Sequence, residues 1–359
     1  MRVGVVVRRD AHERERTLRR TPRAFGLRIE TAGSQQREKR RREHADEEIE
    51  PHDVIVHLAE QGRKPSSTQG RPVRRLIVTV DDFGLSVPVN EAIERGHRDG
   101  IVSAASLMVA EPAAADAVAR ARANPALGVG LHVVVVAGRP LLPPERIPDL
   151  VGDDGFFSSD LARIGVRYFF SRRAQRQLEA EIRAQFAAFA ATGLPFDHVN
   201  AQCHYHLHPT VLRLILKVAR EYGSPPMRIP DEPFLPGWRA TREHFGARVA
   251  QALFFAPFLR LMKARMRARG IAHNDHVFGF NDTGRMTESR VLGYLAQLPA
   301  GSTEMYFHAA TERWPGMAPD LAPYQLEAEF AALTSRRVAE AVRAGEIERI
   351  AFGDLARAR

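Results

Sequence analysis

The sequence predicts an irregular (β/α) barrel that begins near Arg74 and is preceded by a disordered N-terminal extension. Three observations support this prediction. Short β-rich segments alternate with helical segments from residue 74 onward, which is typical of a parallel sheet covered by helices. About eight strands are indicated without a glycine-rich dinucleotide loop, which favours a barrel over a Rossmann sheet. The chain of 359 residues is 44% hydrophobic, enough for a packed core.

The first 73 residues differ from the rest of the chain. They carry 17 basic and 12 acidic residues and show little apolar periodicity. Such a segment cannot bury enough apolar surface to offset its ordering entropy. Three interpretations stay open: a disordered basic tail, a translation start placed too far upstream, and a functional basic arm. Because this segment carries +5 of the net charge of +9, the basic pI is weak support for nucleic-acid binding, and no such partner is expected.

The predicted elements follow in order. Residues 75–80 (RLIVTV) are typical of a buried parallel strand, and Ser86 is expected to cap a helix over residues 87–98 that has Pro88 in its first turn. A proline-rich loop covers residues 138–154. The other predicted strands are 101–109, 128–136, 197–203, 227–229, 276–280, 304–308 and 349–352, and the other predicted helices are 113–123, 171–191, 209–222, 243–269, 288–298 and 324–344.

Polar residues lie at or near the C-terminal ends of four predicted strands, where the active sites of (β/α) barrels lie. Any one of them alone is more typical of a structural histidine or a capping turn. Their joint occurrence on four strands indicates a functional rim. These residues are Asp81, Asp82, His132, His204, His206, His208 and His308.

Aspartate combined with imidazole indicates a hydrolytic metal site. Carboxylate oxygen and neutral imidazole suit Zn²⁺, Mn²⁺, Fe²⁺ or Co²⁺, and Mg²⁺ less well. Neighbouring side chains of a strand point in opposite directions, so Asp81 and Asp82 are expected to divide into one metal ligand and one general base. If residues 200–208 are extended, the histidines in this segment share a face with Asn200 and Gln202 and form a polar pocket. The alternative is a solvated histidine-rich loop.

Eight segments between about residues 74 and 356 resemble the YdjC-like carbohydrate deacetylases, also called the ChbG/HpnK family. The resemblance is greatest to the hopanoid-biosynthesis branch, HpnK. The segments include RLIVTVDDFGLS (75–86), GVGLH (128–132), FDHVNAQCHYHLHPTV (196–211) and TEMYFHAAT (303–311). The resemblance implies a barrel of the polysaccharide-deacetylase-like type over residues 74–359, with one divalent metal ion, Mg²⁺ or Zn²⁺. It implies hydrolysis of the acetamido group of a sugar, and for this branch of an N-acetylglucosaminyl hopanoid.

The resemblance also implies roles for particular residues. Asp82 and His132 would bind the metal, Asp81 would act as general base, and His308 would act as general acid or oxyanion partner. Substrate binding or orientation of the site would fall to Asn200, His206 and Arg228.

Two positions depart from the family pattern. Relatives usually carry a histidine ligand where this chain has Gln202, and a proline where it has Ala309. Three outcomes are open: His204 replaces the missing ligand, the metal binds loosely through Gln202, or activity is lost. The alternative function is accordingly a catalytically impaired, glycolipid-binding member of the same fold. A phosphoesterase is less favoured, because no carboxylate cluster for two metals is evident.

The remaining expectations concern location. Residues 253–269 (LFFAPFLRLMKARMRAR) combine an apolar half with basic residues, which is typical of a helix on an anionic membrane surface, although a barrel-covering helix with a basic outer face has the same pattern. No apolar stretch approaches the roughly 18 residues that span a bilayer. The apolar run at the N-terminus is too short for a signal peptide. Cys203 is the single cysteine, so no intrachain disulfide can form. A cytoplasmic protein, peripheral to the inner membrane, is expected.

Overall fold

The barrel wall consists of short parallel strands. The structure, a computed structural model, describes residues 73–357, so the extension predicted for residues 1–73 lies outside the described residues except for Val73. The strands are β1 (Arg74–Phe83), β2 (Ala104–Leu107), β3 (Gly128–Val133), β4 (Val199–Ala201), β5 (His276–Phe278), β6 (Gly301–Phe307) and β7 (Glu348–Arg349). They pair in the order β4-β3-β2-β1-β6-β5, with β7 beside the start of β1, and every pair is parallel.

The two edges of this sheet meet through one residue. Met227 forms parallel bridges to Val199 of β4 on one side and to His273, just before β5, on the other. The strand predicted over residues 227–229 is therefore wrong in extent. Pro226 and Pro230 flank this segment and lack the backbone N–H that a longer ladder needs. The result is an irregular barrel, which confirms the predicted fold class.

Helices cover the outside of the sheet. They are α1 (Val87–Asp99), α2 (Ala114–Ala123), α3 (Leu161–Phe170), α4 (Arg172–Ala191), α5 (Pro209–Ala219), α6 (Phe234–Thr241), α7 (Phe245–Arg267), α8 (Glu288–Ala296), α9 (Leu326–Leu333), α10 (Arg336–Ala344) and α11 (Phe352–Arg357). The Ser86 side chain accepts a hydrogen bond from the Val89 N–H and caps α1, as predicted. The central strand β1 is buried from Leu76 to Phe83, as expected of a parallel strand covered on both faces.

Several predicted boundaries are wrong for local reasons. The helix predicted over residues 324–344 is two helices, because Ser335 caps α10 and interrupts the run. Helices α3 and α6 were not predicted. The strand predicted over residues 349–352 ends at Arg349, and α11 begins three residues later.

Candidate active site

The end of β1 turns so that two neighbouring aspartates line one cavity. Asp82 has a left-handed backbone, with φ of 66°, and the register of β1 against β2 shifts between Val80 and Phe83. In a regular strand Asp81 and Asp82 would face opposite sides of the sheet. Here both carboxylates line a cavity of about 220 Å³ together with His132.

Three side chains converge in this cavity from three strand ends. The Nε2 atom of His132 lies 3.0 Å from the Oε1 atom of Gln202 and 3.6 Å from the Oδ1 atom of Asp82. That Asp82 oxygen is buried and has no hydrogen-bond partner. Burial raises the pKa of Asp82, so an isolated charge here is costly without a positive partner.

The hydrogen bonds of Asn200 determine which nitrogen of His132 carries the proton. The Asn200 amide nitrogen donates to the Asp81 carboxylate at 3.1 Å and to the Ser106 hydroxyl at 2.8 Å. Its oxygen therefore accepts from Nδ1–H of His132, at 2.7 Å. The Nε2 lone pair of His132 consequently faces Asp82 and Gln202, which also present lone pairs. Three converging acceptors are an arrangement that a cation stabilises.

The donor set fits a weakly held divalent metal better than a tight zinc site. Within residues 73–357, no cluster of three His, Cys, Asp or Glu side chains is placed to hold a metal ion. Asp82 and His132 supply two such donors, and the third is the amide oxygen of Gln202. Oxygen-rich sets suit Mg²⁺ or Mn²⁺, whereas Zn²⁺ favours nitrogen and sulfur.

Asp81 is held by a buried arginine. Arg228 has no exposed surface and donates to both Asp81 oxygens, at 2.6 and 3.0 Å. It also binds both oxygens of Glu304, and its guanidinium lies 4.8 Å from the centre of the Tyr306 ring. Burial alone would raise the pKa of Asp81, but the charge and hydrogen bonds of Arg228 outweigh it and hold that pKa well below its usual range. The Asp81 carboxylate is therefore ionised and fixed in orientation.

The histidine-rich segment after β4 is not extended, so the prediction of a shared histidine face is wrong. Residues Gln202–Leu207 form a 3₁₀ turn in which Cys203 and His204 both have φ of 52°. His204 meets the Tyr306 hydroxyl at 2.9 Å, His206 donates to the Arg228 carbonyl at 3.2 Å, and His208 donates to the Gly165 carbonyl at 3.1 Å. The turn brings Gln202 against His132 and directs His204 to a different partner.

Burial separates the predicted residues into two groups. Asn200, His206 and Arg228, predicted to bind substrate, have no exposed surface and are absent from the cavity lining. Their contacts are with other site residues, so the structure does not place them where they touch a sugar. His308 does line the cavity: its backbone N–H donates to Glu329 at 2.6 Å, and its ring Nδ1 is buried without a partner.

Sequence reasoning missed three residues of this region. Glu304 anchors Arg228, Tyr306 contacts His204, and Glu329 anchors the backbone at His308. Glu304 carried a signal, since a carboxylate in the middle of a buried strand needs a buried cation as partner. Nothing in the sequence around Tyr306 or Glu329 indicates a role in the site, because their partners are distant in sequence.

A second and larger cavity adjoins the first. It measures about 1030 Å³ and shares Asp82 and Gln202 with the smaller one. Its walls are largely apolar, and the Arg139 guanidinium lies 4.9 Å from the centre of the Phe156 ring at its edge. Other apolar lining residues are Leu85, Val87, Met108, Trp314 and Leu321.

Comparison with known proteins adds a family to this geometry. Residues 75–344 match the family described as YdjC-like protein. The chain belongs to the YdjC-like family. Among curated proteins similar to this YdjC-like chain, the carbohydrate deacetylase of Brevibacillus brevis is 39% identical over 151 residues, 42% of this chain and 58% of the relative. The carbohydrate deacetylase of Vibrio cholerae serotype O1 (strain ATCC 39541) is 37% identical over 154 residues, 42% and 57% of the two chains. The match thus spans less than two thirds of the length of these relatives.

A solved structure supports the fold of this YdjC-like chain. It is the crystal structure of an Enterococcus faecalis V583 protein whose name refers to cellobiose-phosphate cleavage. The two chains are 22% identical and superpose with a TM-score of 0.60, over 79% of this chain and 99% of the other. At this identity the likeness concerns the fold alone.

Proposed function

We propose that this YdjC-like chain is a metal-dependent carbohydrate N-deacetylase. The observation that carries the proposal is the convergence of Asp82, His132 and Gln202 beside the ionised Asp81. The curated relatives are named carbohydrate deacetylases, which supports the same reaction class. The reaction breaks the C–N bond of the acetamide and releases acetate and a free amino sugar.

The site residues divide the chemistry among themselves. Asp82, His132 and Gln202 would hold one divalent metal ion, which lowers the pKa of water and polarises the acetamide carbonyl. Asp81, fixed by Arg228, accepts the proton from the attacking water. A carboxylate with a low pKa is a weak base, so Asp81 depends on that water being acidified. His308, which lines the same cavity, donates a proton to the departing amine.

We propose Mg²⁺ or Mn²⁺ as the working ion, and Zn²⁺ as the weaker fit. The amide oxygen of Gln202 is a neutral oxygen donor, and hard divalent cations accept such donors readily.

We propose an N-acetylglucosaminyl hopanoid as substrate, in line with the resemblance to the HpnK branch. The cavity of about 220 Å³ suits one sugar unit, and the adjoining apolar cavity of about 1030 Å³ has room for a large apolar aglycone. Trp314 in that cavity offers a flat apolar surface to such a group. An N-acetylated oligosaccharide is the alternative substrate, and it would leave the apolar walls in water.

We further propose that α7 contacts the inner membrane from the cytoplasmic side. Leu253 and Phe254 are 71% and 65% exposed, and the exposed Arg260 and Arg267 follow on the same helix. An apolar surface with nearby basic charge is typical of helices that lie on anionic lipid. Within residues 73–357 no helix is long and apolar enough to cross a bilayer.

A glycolipid-binding protein without catalysis is the second candidate function. The observation that favours it is Gln202 in place of an imidazole ligand. Metal content and turnover separate the two candidates, because the binding protein would release no acetate at any metal concentration.

The test is acetate release from an N-acetylglucosaminyl hopanoid and from N,N′-diacetylchitobiose. Each is measured in chelator, Mg²⁺, Mn²⁺ and Zn²⁺. We expect release that depends on Mg²⁺ or Mn²⁺ and is faster with the hopanoid. Release unaffected by chelator would contradict the metal, and equal rates on both substrates would contradict the hopanoid preference. No release under any condition would favour the binding protein.

A further inference from the structure

A second polar constellation lies inside the barrel, below the candidate active site. The Ser106 hydroxyl on β2 is 3.0 Å from Nε2 of His198, and Nδ1 of His198 is 2.9 Å from the Asp197 carboxylate. Serine, histidine and aspartate in this order are the arrangement of a nucleophilic triad. Whether these three residues can act as a nucleophilic triad depends on whether substrate can reach Ser106.

Burial excludes the nucleophilic role in this structure. Ser106 and His198 have no exposed surface, and neither lines the cavity that contains Asp82. A nucleophile must reach the substrate carbonyl, and Ser106 instead has its oxygen bonded by the amide nitrogen of Asn200 at 2.8 Å. The three residues therefore serve something other than covalent catalysis.

The hydrogen bonds in this constellation have a single consistent direction. The Asp197 carboxylate can only accept, so Nδ1 of His198 carries the proton and its Nε2 accepts from the Ser106 hydroxyl. With its proton used in this way, Ser106 can only accept from Asn200. The Asn200 amide nitrogen is thereby held between two acceptors, Ser106 and Asp81, and its oxygen is directed at Nδ1–H of His132.

The fold makes specific room for this chain of bonds. A Cβ atom at Gly130 would lie 2.5 Å from the His198 ring, and one at Gly128 would lie 2.7 Å from the Asp197 carboxyl carbon. Asp197 also accepts hydrogen bonds from the backbone N–H groups of Gly353 at 2.7 Å and of Phe352 at 3.3 Å, at the start of α11. The Phe352 ring stacks on His198.

We propose that Asp197, His198 and Ser106 are positioning residues that hold His132 in the tautomer able to bind a metal through Nε2. The relay runs from the start of α11 through the barrel interior to Asn200 and then to His132. Its consequence for catalysis rests on the proposed function, whereas its effect on the His132 tautomer does not. Partners of ligating histidines commonly fix tautomer and orientation in this way.

The test reads the His132 ring directly by ¹⁵N NMR of metal-free protein, and then measures Mn²⁺ affinity by titration. In the wild type we expect one tautomer, with the proton on Nδ1. In Ser106→Ala the Asn200 amide loses one of its two acceptors, so we expect a second His132 tautomer to become detectable. We expect Mn²⁺ affinity to fall roughly ten-fold, the lower end of the range for such partners.

Thr79→Val is the matched control. Thr79 lies on the adjacent strand β1, is fully buried, and has a hydroxyl without a hydrogen-bond partner, so its loss removes a buried hydroxyl outside the relay. We expect the control to keep one tautomer and wild-type affinity. If Ser106→Ala matches Thr79→Val in both measurements, the relay is not a positioning device and the proposal is overturned.

Asp197→Asn provides a second variant should Ser106→Ala fail to fold. The amide keeps an oxygen for the N–H of Gly353 but removes the charge that fixes the His198 tautomer. We expect this variant too to show a second His132 tautomer, and an unchanged His132 spectrum would count against the proposal. Acetate release by the wild type is scored separately: if the wild type releases no acetate under any condition while Ser106→Ala still shifts the His132 tautomer, the deacetylase function is contradicted and the relay stands.

Discussion

The two aspartates at the end of β1 differ in what surrounds them. Asp81 is ionised and paired with Arg228, whereas Asp82 is buried and has an oxygen without a partner beside Nε2 of His132. Removing the charge of each should therefore have a different effect. The division into base and ligand that the sequence indicates stays a prediction.

We expect Asp81→Asn to lower turnover by roughly 10²–10⁴ while Mn²⁺ remains bound, because the base is lost and the metal donors are kept. Asp82→Asn should lose the metal. Turnover and bound Mn²⁺, measured on both variants, check this. Equal loss of metal in the two variants would contradict the division of roles.

Gln202 is expected to limit metal affinity, since an amide is a weaker donor than imidazole to borderline metals. We predict that Gln202→His binds Zn²⁺ at least ten-fold more tightly and has higher deacetylase activity. Loss of a residue that only supports a metal ligand lowers metal affinity roughly 10–100-fold, and a change of the ligand itself should have at least that effect. The measurement is metal titration of wild type and variant. No change would show that position 202 does not ligate.

His204 separates the open alternatives for the third ligand. In the structure it bonds the Tyr306 hydroxyl, so His204→Ala should leave metal affinity unchanged. A large loss of affinity in His204→Ala would mean that this side chain replaces the missing ligand.

Glu329 makes stability depend on pH. Burial raises its pKa from 4.5 to about 8, so the folded state keeps a proton that the unfolded state releases. The stabilising contribution is complete below about pH 4.5 and is lost as pH rises towards about 8, with a size of the order of a few kcal/mol. We expect Glu329→Gln to flatten the fall of melting temperature across this range. Glu312→Gln, at an exposed glutamate, is the control and should keep the wild-type slope.

At the scale of elements, helix α7 allows a direct test of the proposed contact with the membrane. We predict that Leu253→Ser combined with Phe254→Ser weakens binding to anionic vesicles at least ten-fold, because both substitutions remove an exposed apolar side chain that would bury surface in the lipid. Sedimentation with phosphatidylglycerol vesicles measures it. Phe170→Ser on α3 is the matched control, since Phe170 is 74% exposed on another helix. Equal loss in both proteins would indicate unspecific adhesion.

The segment after β4 illustrates where element prediction fails. A period of two among His204, His206 and His208 indicated an extended strand, yet the segment forms 3₁₀ turns with a kink at Cys203 and His204, whose backbones are left-handed. Histidine is enriched among non-glycine residues with positive φ, but such residues are only a few per cent of all, so the local sequence does not predict this turn. Neighbouring Gln202 reaches the site because of this turn.

At the scale of the whole molecule, the described residues 73–357 lie within one compact unit. We predict that a protein starting at Val73 unfolds with the same cooperative transition as the full chain, because the core of the described residues starts at β1. Thermal melts of both proteins by circular dichroism decide it. Loss of the transition in the shorter protein would show that residues before Val73 belong to the fold.

The sequence by itself determined the alternation of strands and helices, the order of the chemistry-bearing strand ends and the family resemblance. These follow from local periodicity and from short motifs, which are written in consecutive residues. Tertiary structure alone decided that Arg228 pairs with Asp81, 147 residues away, and with Glu304, 76 residues away. It likewise decided that Met227 closes the barrel. Such pairings depend on strand register and on burial, which arise only when distant segments pack together, and no single segment encodes them.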